Sequence, residues 1–203
     1  MKKYLILTLL IIAALKLEAQ VGNKHYLGTH YSYGKAIYSK GTYKLTNNRQ
    51  YEGKDYFTFG IDYTYRTSET TDLGIGLSGT IVSLYLENTV ILPGETRNAH
   101  YDESFTILSV PVYLKYHFGK YFYLNPGLSF NYHPSRGYTW GVGGFAGIGF
   151  EYTLFSSVSL SIAPQIQLNI LSSGKRDNDD YNYSGFEDKV TLIGGKIGIG
   201  YKF

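Results

Sequence analysis

The sequence predicts an all-β fold, an eight-stranded antiparallel up-and-down transmembrane β-barrel, on three observations. Eight segments carry apolar residues at every second position, a period that no helix reproduces. The connections between them alternate long and short, the pattern of outer-membrane barrels with long loops outside and tight turns inside. The face opposite the apolar one is mostly Gly, Ser, Thr, Asn and Gln, with charge gathered in the connections. A water-facing surface carries Lys, Glu, Asp and Arg throughout. That difference favours lipid outside over a soluble lipocalin-like barrel, which would share the alternation.

The elements follow in order. The first segment, His25 to Ile37, is the least regular. In the second, Phe57, Phe59, Ile61, Tyr63 and Tyr65 share one face, against Tyr56, Thr58, Gly60, Asp62, Thr64 and Arg66. Leu73, Ile75, Leu77 and Ile81 carry the third, and Leu108 to Phe118 the fourth, with Pro111, Tyr113, Lys115 and His117 on its other face. Phe122 to Tyr132, Val142 to Tyr152, Val158 to Ile170 and Ile193 to Phe203 complete the set. Tyr38–Lys54, Glu87–Glu103 and Ser173–Asp188 read as long polar loops. Thr67–Asp72, Gly119–Lys120, Leu154–Ser156 and His133–Gly137 read as short connections. Pro111 and Pro164 each remove a ladder donor, which invites a bulge. The glycines of the third, sixth and eighth strands leave room for curvature and large inward Tyr residues.

The N-terminus has its own reading. Met1-Lys2-Lys3 is basic, Tyr4 to Leu15 is apolar, and Ala19 offers a small residue before Gln20. This is the order of a cleaved secretory signal, too short for a spanning helix. Residues 1–19 are therefore expected to be removed, leaving 20–203 as one barrel domain, with no Cys to direct lipid attachment. Without the signal's three basic and one acidic residue, the 19 basic and 16 acidic residues of the chain become 16 and 15. Near-neutral charge gives no argument for nucleic acid, and zero Cys removes disulfides and thiolate metal sites together. No cofactor is expected. Twenty-two Tyr and 11 Phe suit strands and a membrane–water boundary. Tyr63, Tyr65, Tyr116, Phe118 and Tyr152 should ring the periplasmic end, and Tyr132 and Trp140 the outer end. With an even strand count, both termini fall in the periplasm.

The final strand, with Ile199, Tyr201 and the terminal Phe203, resembles the insertion signal of outer-membrane barrels. The stretch Ser109-Val-Pro-Val-Tyr-Leu-Lys-Tyr-His-Phe118, followed by Tyr123-Leu-Asn-Pro-Gly127, resembles the middle hairpin of the Bacteroidetes outer-membrane β-barrel domain, the group that includes PorT-like proteins. The resemblance implies an outer-membrane location, handling by the barrel-assembly machinery, contact with lipid and lipopolysaccharide, and, for some members, envelope or secretion proteins as partners.

Three features bear on chemistry. Asp62, Arg66, Lys115, Glu151 and Lys196 fall on the inward face. They read as an internal salt-bridge network, since an unpaired buried charge is costly and an eight-stranded bore is filled by side chains. The rival reading is a charged path for a small solute. His133-Pro134-Ser135 has the residue types of a nucleophile and base, as in barrel lipid A deacylases, but reads as a turn set by Pro134 and Gly137. Asp177, Asp179, Asp180, Glu187 and Asp188 read as a solvated loop, because Tyr181 and Asn182 break the calcium-loop pattern. The expectation is a non-catalytic barrel plugged by polar side chains, serving in structure, binding or assembly. A narrow conduit is the alternative and a lipid A-modifying enzyme the second.

Overall fold

The computed structural model describes residues 25–39, 49–92, 95–134, 139–154, 157–172 and 186–203. The expected signal segment, Ser135 and the loop acids Asp177, Asp179 and Asp180 lie outside the described residues.

Among the described residues nine strands form: β1 (His25–Ser39), β2 (Arg49–Arg66), β3 (Thr71–Leu92), β4 (Glu95–Phe118), β5 (Phe122–Leu124), β6 (Gly127–His133), β7 (Thr139–Leu154), β8 (Val158–Ser172) and β9 (Phe186–Lys202). Every pairing is antiparallel, and β1 closes on β9 from Tyr26↔Lys202 to Ser39↔Lys189. β5 and β6 both lie between β4 and β7 and form one stave, so nine strands make eight staves. What divides them is Pro126, which has no N–H for the ladder. Register runs on across the break, from Tyr116↔Leu124 to Tyr113↔Gly127. The backbone stays tied by Asn125 N donating to Gly147 O at 2.9 Å and Leu114 N to Pro126 O at 3.1 Å.

The bulges invited by Pro111 and Pro164 do not form. Pairing beside Pro111 lapses between Ile75↔Val112 and Ser78↔Ser109 without a shift, and Pro111 keeps its place opposite Ser129. Pro164 likewise stays opposite Gly195. A proline whose missing donor faces a lapse on one side costs one ladder bond and no register. The register shifts occur elsewhere, between Gly53 and Tyr56 and between Leu171 and Ser172.

The staves differ greatly in height. Lipid requires about 9–11 residues of tilted strand, yet β3 and β4 have 22 and 24. They pair through to Leu92↔Glu95, so Glu87–Leu92 and Glu95–Glu103, expected as parts of a loop, are strand. β1 reaches Ser39, β2 starts at Arg49 and β9 at Phe186, which likewise turns parts of the other two expected loops into strand. The opposite end has tight turns. Thr67 N and Ser68 N both donate to Thr71 O, at 2.9 and 3.1 Å, and Gly119 turns the β4–β5 connection with φ 68°.

Candidate functional site

The outer surface defines the class of the barrel. Phe57, Phe59, Ile61 and Tyr65 of β2, Leu73, Ile75 and Leu77 of β3, and Leu160, Ile162, Ile166 and Leu168 of β8 are exposed. Every other stave continues this belt. From Leu160 to Ile170, ten steps of about 3.3 Å at a tilt of about 40° give a band roughly 25 Å tall, the height of a barrel's lipid-facing zone. Aromatic side chains gather at the turn end: Phe118 stacks on Phe122 at 6.0 Å, and Tyr121 on Tyr152 at 5.9 Å. His25 packs against Tyr63, Tyr65 and Phe203. Tyr116 and Tyr201 are exposed there, and Ile199 lies two positions further up the last strand. At the opposite end Tyr132 lies 5.1 Å from Trp140, whose exposure of 67% turns it fully outward.

Inside, the lumen has three storeys. The lowest, at the turn end, holds the charges. Asp72 accepts Arg66 Nε at 2.8 Å and Nη2 at 3.3 Å, and its other contact is His117 Nε2 at 2.7 Å. Lys115 is bonded to Glu151 and lies over the Tyr123 ring. Above them, Asp62 Oδ2 meets His30 Nδ1 at 2.6 Å and Lys196 Nζ at 3.4 Å. The five charges read from the sequence thus fall into three separate groups. Those groups include His30, Asp72 and His117, which sequence reasoning did not place there. His117 was on the inward face but neutral by default, Asp72 sat at a turn boundary, and His30 lay in the least regular strand.

The middle storey is polar and uncharged. Thr58 and Thr80 share a bond of 2.8 Å. Ser109 donates to Asn131 Oδ1 at 2.8 Å, Asn131 Nδ2 to Asn169 Oδ1 at 3.0 Å, and Gln167 to the same oxygen at 2.8 Å. Glycines make space for the large side chains at its base: a Cβ on Gly74 or Gly127 would overlap Tyr113, and one on Gly149 would overlap Tyr123.

The upper storey departs from the expectation of a polar plug. Ala36 and Tyr38, Tyr56, Val82 and Leu84, Phe105 and Ile107, Leu171, and Val190 and Leu192 form one buried apolar cluster drawn from β1, β2, β3, β4, β8 and β9. The β5–β6 stave and β7 add no residue to this cluster, and His133 of β6 lines that side by stacking on Phe105 at 4.8 Å. His133 is buried in this contact.

The cause is an inversion of the alternation. Below the boundary apolar side chains point out and polar ones in; above it the order is reversed. The switch is written as adjacent apolar pairs, one member in and one out: Tyr56-Phe57, Ile81-Val82, Ile107-Leu108, Ile170-Leu171 and Leu192-Ile193. Beyond it the outward positions are Ser83, Ser104, Thr191 and Lys189, and Lys54 pairs with Asp102 at 2.6 Å across the outer surface. This is the pattern of a barrel wall in water, with an ordinary core inside.

These features define a closed eight-stave barrel of outer-membrane type. At the level of sequence, no protein-family model and no curated protein matches the chain. Among solved structures, the fold is similar to that of Neisserial surface protein A, at 18% identity over 88% of this chain and 97% of that one, with a TM-score of 0.50. The outer membrane protein OprG of Pseudomonas aeruginosa is 14% identical over 89% and 96%, with a TM-score of 0.45. The attachment invasion locus protein Ail of Yersinia pestis is 14% identical over 89% and 99%, with a TM-score of 0.46. At such identities the likeness concerns the fold alone.

Proposed function

We propose that the protein is a non-catalytic barrel of the bacterial outer membrane whose work is done by the rim end, displayed beyond the lipid for binding or assembly. The termini and tight turns face the periplasm in this reading, and the long β2–β3–β4 wall stands outside the cell. The observation that carries it is the inversion at the apolar pairs. A wall that only crossed lipid would have no use for a hydrophobic core above the band, whereas a wall standing in water requires one. The same core blocks the bore, which weighs against a conduit.

The partners in this reading are lipid and lipopolysaccharide around the belt, the barrel-assembly machinery during insertion, and envelope or secretion proteins at the rim. The resemblance of Ser109–Phe118 with Tyr123–Gly127 to the middle hairpin of the Bacteroidetes outer-membrane β-barrel domain supports placement among PorT-like small barrels. Recording from the purified protein in planar bilayers tests the reading: a flat trace is expected, and discrete conductance steps would establish the conduit instead.

A further inference from the structure

The polarity of the lumen is graded along its axis. Among the described residues the ion pairs of the lumen lie in the turn-end storey, neutral polar networks in the middle and the apolar cluster at the top. Two cavities follow the same gradient. One of about 70 Å³ lies at the turn end, lined by Tyr26, Tyr123, Glu151, Ser159, Asp62 and Lys196. A second, of about 30 Å³, lies above it against Ser32, Thr58, Ser109, Ser129 and Gln165. The wall between them is shared by His30, Asp62, Tyr113 and Lys196.

Burying ions without water costs several kcal/mol for each. Direct contacts do not satisfy every group here: Lys196 reaches Asp62 only at 3.4 Å, and Asp62 Oδ1 and Asn125 Oδ1, of residues lining the lower cavity, have no hydrogen-bond partner among the described residues. A water takes up about 30 Å³ and needs two to four polar partners. The lower cavity offers both the room for water and the partners.

We propose that the lumen is a one-ended aqueous vestibule. Water and solutes of only a few heavy atoms enter from the turn end, solvate the Lys115–Glu151 pair, reach Asp62 and Lys196, and stop beneath the apolar core. The charged residues then mark how far water reaches, and the vestibule is a binding site for ordered water rather than a segment of a channel.

Hydroxyl-radical footprinting of the intact barrel in lipid nanodiscs tests this, because the radicals form from water where it resides. Tyr123, beside the vestibule, should be modified at least tenfold faster than Phe105, Leu84 and Leu192 in the core. In Ser159→Leu, whose side chain fills the cavity, the rate at Tyr123 should fall several-fold. Modification of Tyr123 and the core alike would mean a continuous water column and overturn the proposal. Silence at both would mean a dry lumen and also overturn it, while leaving the sealed display reading intact; bilayer conductance separates the two failures.

Discussion

An arginine scan along β3 tests where the lipid ends. Leu77 points outward, four residues from Leu73 and four from Ile81 on the same face. At about 3.3 Å per residue and a tilt of about 40°, it has roughly 10 Å of apolar wall above and below, which puts it near the bilayer midplane. Ser83 also points outward but lies six residues higher, roughly 15 Å above that plane and past the apolar pair Ile81-Val82. Arginine on the lipid face costs about 2–4 kcal/mol at the midplane and about 0–1 near an interface. Leu77→Arg should therefore destabilise the barrel by about 3 kcal/mol and Ser83→Arg by less than about 1. The difference is on the order of a hundredfold in the unfolding constant. Reversible urea unfolding in lipid vesicles reads it directly, followed by the emission of Trp140, the chain's one tryptophan, which is 67% exposed on the outer face. Equal costs at the two positions would refute the boundary. A neutral Leu77→Arg would mean that the apolar belt does not face lipid.

Three further perturbations address the interior. Leu84, fully buried in the upper core, should lose about 3 kcal/mol on Leu84→Ala, since a cavity adds to the lost transfer energy; the same urea titration measures it. Asn131→Ala removes the acceptor of Ser109 and the donor to Asn169, and leaving buried polar groups unpaired should cost about 2–3 kcal/mol, with Asn131→Asp distinguishing loss of the acceptor from loss of the donor. Gly34 lies opposite Gly194 at the β1–β9 seam, where an added Cβ would overlap the Ile193 carbonyl. Gly34→Ala should therefore force the closing strands apart and lower the temperature at which the folded barrel loses its compact gel mobility; an unchanged midpoint would argue against a tight seam.

How much of this was legible in the sequence depends on which rule each segment obeys. Within the lipid band the alternation is plain, because a lipid-facing side must be apolar and a tight bore favours small polar residues; β2 from Phe57 to Tyr65 shows it without a break. Above the band the physical rule reverses. Glu87–Glu103 therefore read as loop, although the backbone pairs from Glu87↔His100 to Leu92↔Glu95. The signal that would have found the extension is the run of apolar pairs, since two adjacent apolar residues in a period-two segment mean either a flaw or a change of environment. The same change at one height on five strands means the latter. In the lumen, the charges of fixed sign were readable from face and position. The grouping was not, because it depends on which staves face each other across the bore: Lys196 of β9 meets Asp62 of β2, and Lys115 of β4 meets Glu151 of β7. Histidines that complete two of the groups carry no charge signal in a sequence.

The most direct test of the account is cysteine labelling on intact cells, made clean by a chain with no Cys of its own. Ser83→Cys, Leu77→Cys and Ser68→Cys would each be exposed to a membrane-impermeant maleimide before and after the envelope is permeabilised. The account predicts that Ser83→Cys reacts on intact cells, that Ser68→Cys reacts only after permeabilisation, and that Leu77→Cys stays protected in both. Labelling of Leu77→Cys in folded protein, or of Ser68→Cys on intact cells with Ser83→Cys silent, would contradict it.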